Sequence, residues 1–90
     1  MTNLTIVIPV YNEGENIAQA ISSIENEVKH DHIINIVYDF NEDNSVPVVE
    51  KEKSKYKTPI NLIRNKYGRG VLNAIKTGLE TAETEYVIVT

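Results

Sequence analysis

Four short apolar runs rich in β-branched residues, separated by stretches with helical spacing, constrain this chain more than any other feature of it. They are "LTIVIPV" at 4–10, "IINIVY" at 33–38, "INLI" at 60–63 and "YVIV" at 86–89. Runs of this length bounded by turn formers read as strands. Because they are mostly continuous rather than alternating, they read as strands buried on both faces of a sheet. The first intervening segment places Ile17, Ile21, Ile24 and Val28 on one helical stripe, with Asn12 and Glu15 at the spacing of a capping box. The last places Leu72, Ile75, Leu79 and Ala82 on a stripe, and its interior Gly78 costs about 1 kcal/mol relative to alanine. The middle segment predicts a helix over roughly 46–56, capped by Ser45, with Pro47 tolerated in its first turn and a thin stripe of Val46, Val49 and Tyr56.

The order β-α-β-α-β-α-β predicts an α/β fold: a Rossmann-like parallel sheet with right-handed crossovers and helices on both faces. Ninety residues make one domain, 1–90, and exclude a second complete one. With no cysteine, the chain has no disulfide framework, no thiolate metal site and no thiol nucleophile, which fits a cytoplasmic protein. No apolar run is long enough to span a membrane, and the first ten residues lack the pattern of a signal peptide. The sequence stops on an apolar strand with no helix after it, so a truncated domain is expected.

A net charge of −4 argues against broad binding to nucleic acid. Its distribution is uneven: seven of the nine lysines and arginines lie between residues 51 and 69, where Glu52 is the only acid. The run "EKEKSKYK" reads as a solvated helix face, whereas Arg64, Lys66 and Arg69 flank a glycine loop.

In open parallel sheets ligands bind beyond the carboxyl ends of the strands, where the strand order reverses. The loops there are "PVYNEGE", "DFNEDNS" and "RNKYGRG", and they hold the unusual residues of the chain. Gly68 and Gly70 open the last helix, where free backbone N–H groups, Lys66 and Arg69 would favour an anion; a plain glycine turn into a helix is the other reading. The loop is neither a dinucleotide fingerprint, since Asn73 stands where the third glycine belongs, nor a P-loop. Asp39, Glu42 and Asp43 cluster in the second loop. Asp43 either caps the next helix or joins Asp39 in pairing with base N–H donors or a cation. Asp39 directly follows a buried strand, where a carboxylate needs a partner. His30 and His32 have a metal-like spacing but fall at the plain edge of the sheet. No nucleophile elbow is present.

"VIPVYNEGENI", "VYDFNEDNS" and "RNKYGRGVLNAIKTGLETAETEYVIVT", in this order, resemble the N-terminal half of family 2 glycosyltransferases, above all the branch of dolichyl-phosphate mannose synthases and polyprenyl-phosphate glucosyltransferases. The resemblance implies a nucleotide-diphosphosugar transferase fold with strand order 3-2-1-4, and an inverting transfer from a UDP- or GDP-sugar to a polyprenyl-phosphate or related acceptor. Carried over by position, Pro9, Tyr11 and Glu13 would line the nucleoside pocket and Asp39 would sit beside base and ribose. Arg69 and Gly70 fall in the loop that reaches the donor. With Asp43 and Lys66 from the same loops, these eight are the expected donor-binding residues; no catalytic residue or metal ligand is assigned.

The family's metal site follows the fourth strand, so a divalent cation, Mg or Mn, is expected in the intact enzyme and none in this portion, which is expected to be inactive alone. The intact enzyme would be membrane-associated. The exposed fourth strand would invite self-association. Where the family reads Val-Asp-Asp-Gly-Ser, this chain reads Val37-Tyr38-Asp39-Phe40-Asn41. That substitution supports a different expectation, a non-catalytic α/β interaction or assembly module. A receiver-like or flavin-binding domain would need other residues where "PVYNE" stands.

Overall fold

The computed structural model describes residues 2–90. Strand β1 (Leu4–Pro9) leads to helix α1 (Ile17–Glu27), β2 (Ile33–Tyr38), helix α2 (Ser45–Glu52), β3 (Ile60–Arg64), helix α3 (Val71–Thr81) and β4 (Tyr86–Val89). The four strands form one sheet in the order β3-β2-β1-β4. Every neighbouring pair is parallel, with Ile6 level with Ile34 on one side and with Ile88 on the other. The fold is thus the Rossmann-like α/β architecture expected from the alternation of elements.

Side chains one residue apart on a strand point to opposite faces, and the two faces here bury different partners. Ile6, Ile8, Ile34, Ile36 and Ile60 pack against Ile17 and Ile21 of α1 and Val49 of α2. On the reverse face Val7 and Val37 pack against Ala74 of α3. Right-handed crossovers require this division, because the chain steps outward from β1 to β2 to β3 and then returns across the sheet to β4. The reversal lies between β1 and β4, beside the end of β1.

Local details depart from the sequence expectations. No capping box forms: α1 starts at Ile17, the Asn16 side chain makes no cap bond, and Asn12 is turned into the left-handed region at φ 49°. The first turn is held instead by backbone, Ile17 N donating to the Glu13 carbonyl at 2.8 Å. Helix α2 ends at Glu52 and passes through a 3-10 turn, Lys53–Lys55, to an extended Tyr56, because only Ser45 and Val49 in it are buried. Lys53 and Lys55 pair with Glu50 and Glu52 one turn back, so the charge run is a solvated face.

The largest departure is in α3. The expected stripe is not the buried one: Leu72 and Leu79 are 79% and 50% exposed, while Ala74, Thr77 and Gly78 face the sheet. Small residues let this helix approach β1 more closely than leucines could. Nor is β4 buried on both faces, since Tyr86 and Ile88 lie 61% and 51% exposed at the sheet edge.

Candidate functional site

The loops after β1 and β2 are sewn together at the carboxyl edge of the sheet. Asp43 is fully buried, and its carboxylate accepts from Ser45 N at 2.7 Å and from Asn12 N at 3.0 Å. It caps α2 and pins the first loop in one stroke; Ser45, the expected cap, is the first residue of the helix. Ser45 Oγ accepts from Glu13 N at 2.7 Å, Asn44 Oδ1 from Gly14 N at 2.8 Å, and Asn12 Oδ1 from Asn44 N at 3.1 Å. These bonds satisfy donors that a turn at φ 49° would otherwise leave open, and they fix Tyr11 and Glu13 relative to Asp39.

A second network ties the β2 loop to the glycine loop. Asn65, buried at the end of β3, donates from Nδ2 to Asp39 Oδ1 at 2.9 Å. Its Oδ1 accepts from Thr77 Oγ1 at 3.0 Å and from Tyr67 N at 3.1 Å. Gly70 N donates to Asp39 Oδ2 at 3.3 Å. Asp39 therefore has a partner on each oxygen, as a half-buried carboxylate after a core strand requires, and still offers unused lone pairs toward the solvent side. Gly68 and Gly70 take φ of +93° and +127°, a backbone that side-chain-bearing residues rarely adopt.

Between these loops lies a cleft of about 350 Å³, lined by Pro9, Val10, Tyr11, Glu13, Asp39, Arg69, Gly70, Val71 and Ala74. The first turn of α3 opens onto it through Gly70 and Val71, and the leading N–H groups of a helix have no partner within the helix. Behind two of these lining residues stands Phe40: its ring lies 5.8 Å from that of Tyr11, and the Arg69 guanidinium lies 4.7 Å over it. Aromatic faces, an oriented carboxylate and a cation beside a helix N-terminus are groups that can receive a base, ribose hydroxyls and phosphate respectively.

Six of the eight expected residues meet at this cleft: Pro9, Tyr11, Glu13, Asp39, Arg69 and Gly70. Asp43 and Lys66 do not line it. Asp43 is consumed in the loop clamp, and Lys66 Nζ lies 3.4 Å from Glu80, beyond the Tyr67 ring. There the Tyr67 hydroxyl donates to Glu80. This bond raises the tyrosine pKa above its ordinary value and, together with Lys66, holds the Glu80 carboxyl below its own. Asn65 escaped the sequence reading, its one signal being a polar side chain immediately after an apolar strand at the ligand-binding edge. Phe40 stood out only as a departure from the family motif, with no signal of its contact with Arg69.

A slightly larger hollow, about 380 Å³, opens at the opposite edge around Glu25, His30, His32 and Thr58. Its polar groups are engaged with one another: Glu25 lies 2.5 Å from His32 Nε2 and accepts from Thr58 Oγ1, and His32 Nδ1 faces the His30 carbonyl at 2.7 Å. His32 is therefore held in a polar knot with Glu25, while the His30 side chain is exposed and contributes only its carbonyl, so the two do not form a ligand pair. Among the described residues no three histidine, aspartate or glutamate side chains converge as a cation would need, and none of their helices is long and apolar enough to cross a membrane. The divalent cation implied by the family finds no donor set in these residues.

The family model described as Glycosyl transferase family 2 matches residues 5–90. A dolichol-phosphate mannosyltransferase of Pyrococcus furiosus is 29% identical over 87 residues, which cover 96% of this chain and 24% of the relative. The chain thus spans about a quarter of the length of that relative. With the strand order, the reversal point and the match over nearly every residue in agreement, the chain belongs to glycosyltransferase family 2.

Proposed function

We propose that the cleft receives the nucleoside diphosphate of a UDP- or GDP-sugar, and that the longer protein transfers the sugar to a polyprenyl-phosphate or related acceptor. The observation that supports this reading is the convergence of Tyr11, Asp39, Arg69 and Gly70, from three separate loops, on one cleft at the reversal of strand order. Tyr11 offers a ring for the base to pack on. Asp39, oriented by Asn65, accepts from base N–H or ribose hydroxyl, and Arg69 with the α3 N-terminus meets the diphosphate. Mg or Mn would neutralise the leaving diphosphate in the longer protein. An acceptor carried on a lipid places that protein at a membrane surface, with the cleft on its cytoplasmic side. The described residues supply binding groups but no donor set for the cation; in this reading they bind donor, and transfer belongs to the longer protein.

Isothermal titration with UDP, GDP and the corresponding monophosphates tests the reading. Diphosphate binding that Tyr11→Ala and Arg69→Ala both weaken supports it; no binding of any of the four ligands contradicts it. A second reading, a non-catalytic assembly module, draws on the exposed Tyr86, Ile88 and Val89 at the open edge of β4. Concentration-dependent dimerisation that Ile88→Lys abolishes would favour it.

A further inference from the structure

Arg69 is the cation of the cleft: Asn73 Nδ2 donates to its carbonyl at 3.3 Å, but among the described residues its guanidinium has no hydrogen-bond partner. It is exposed, stands between two glycines of positive φ, and forms no ion pair among the described residues. Its backbone neighbour Gly70 reaches Asp39 only through a 3.3 Å bond. The side-chain contact it does make is with Phe40, whose ring lies 4.7 Å beneath the guanidinium.

Phe40, by contrast, sits on a pinned segment. Asp39 before it is bonded to Asn65, Asn41 after it accepts from Arg64 Nη1 at 2.8 Å, and its carbonyl accepts from Asp43 N at 3.2 Å. The Tyr11 ring abuts it at a tilt of 60°. Restraint therefore runs from the fixed ring to the arginine side chain, whose backbone is held but whose guanidinium is not. A planar guanidinium can stack on an aromatic face while its edge N–H groups remain free to meet phosphate oxygens.

We propose that Phe40 is a positioning residue for donor binding: its ring holds the Arg69 guanidinium on the cleft wall, so that a diphosphate meets a cation already in place. This rests on the donor-binding reading of the cleft. Phe40 itself does not line the cleft and acts through Arg69. Holding a flexible side chain before binding removes part of the ordering cost of association. The effect concerns the phosphates and not the base, which separates it from a general loss of structure.

The test compares UDP with UMP, and GDP with GMP, on the full chain. In Phe40→Leu the ratio of diphosphate to monophosphate affinity falls by about 2- to 5-fold, the worth of an exposed cation–π contact. Phe40→Tyr and Phe40→Trp restore the ratio, and Phe40→Leu has no further effect in an Arg69→Ala background. In the unmodified chain, the Arg69 side-chain protons carry ring-current shifts in the NMR spectrum, a readout that does not depend on any variant folding. An unchanged ratio in folded Phe40→Leu, or the absence of those shifts, overturns the role of Phe40 while leaving the cleft reading intact. If the unmodified chain binds none of the four nucleotides, the cleft reading falls and the role of Phe40 with it.

Discussion

Gly78 of α3 rests directly on Val7 of β1: a Cβ at position 78 would fall 2.4 Å from Val7 Cγ1. Val7 is fully buried at the centre of the sheet and cannot move aside. Helix propensity alone favours alanine over glycine by about 1 kcal/mol. Overpacking opposes it, at about 1–3 kcal/mol. Gly78→Ala is therefore expected to destabilise the chain, read as a lower midpoint in urea unfolding. Gly78→Ala with Val7→Ala should recover part of the loss, because the second change clears the contact.

Asp43 is the next point of vulnerability. Its buried carboxylate satisfies two backbone N–H groups from two loops. Asp43→Ala leaves both donors unmet, at about 2–4 kcal/mol for charge-assisted bonds and a lost cap together. Ser45→Ala removes one bond to Glu13 N and is expected to cost less. Denaturant midpoints in the order wild type, Ser45→Ala, Asp43→Ala would bear this out.

The architecture was legible in the sequence because its signals are redundant. Four apolar runs, helical spacing between them and glycine at the turns all point to one wound sheet. The orientation of α3 was not legible: the usual inference that leucines face the core fails where a helix lies so close that only Ala74, Thr77 and Gly78 fit. The carboxyl-end rule selected the loops that carry Tyr11, Asp39 and Arg69, and the family resemblance singled out residues within them, so their meeting at one cleft was legible. Whether Asp43 turns inward, or Lys66 toward Glu80, depends on the path of a few loop bonds. The role of Phe40 depends on a neighbour 29 positions away in sequence, Arg69, and no local pattern announces that.

Asn65 should matter for binding as well as for stability. It aims the Asp39 carboxylate and anchors the glycine loop through Tyr67 N. Asn65→Ala is expected to weaken nucleotide binding by about 5- to 10-fold, equivalent to losing one hydrogen bond of orientation. Asn65→Asp should be worse, since it sets a second carboxylate against Asp39. Titration calorimetry on both variants, with circular dichroism to verify folding, checks the order.

The bond between Tyr67 and Glu80 gives a pH signature outside the cleft. Glu80 titrates below its ordinary range, so its contribution is present above that range and lost as pH falls through the lowered value. Tyr67 titrates above its ordinary value, so its contribution is present at neutral pH and lost as pH rises through the raised one. Glu80→Gln is expected to shift the Tyr67 titration downward, and Tyr67→Phe to shift that of Glu80 upward. NMR titration of labelled tyrosine and glutamate side chains reads both.

Chemical-shift mapping of the labelled chain during titration with UDP and then GDP locates any nucleotide on the molecule. Perturbations confined to Tyr11, Glu13, Asp39, Arg69, Gly70 and Val71 are expected, saturating together with one affinity. Perturbations centred on His30, His32 and Lys57 at the far edge, or none with either nucleotide, would contradict the assignment of this rim as a donor site.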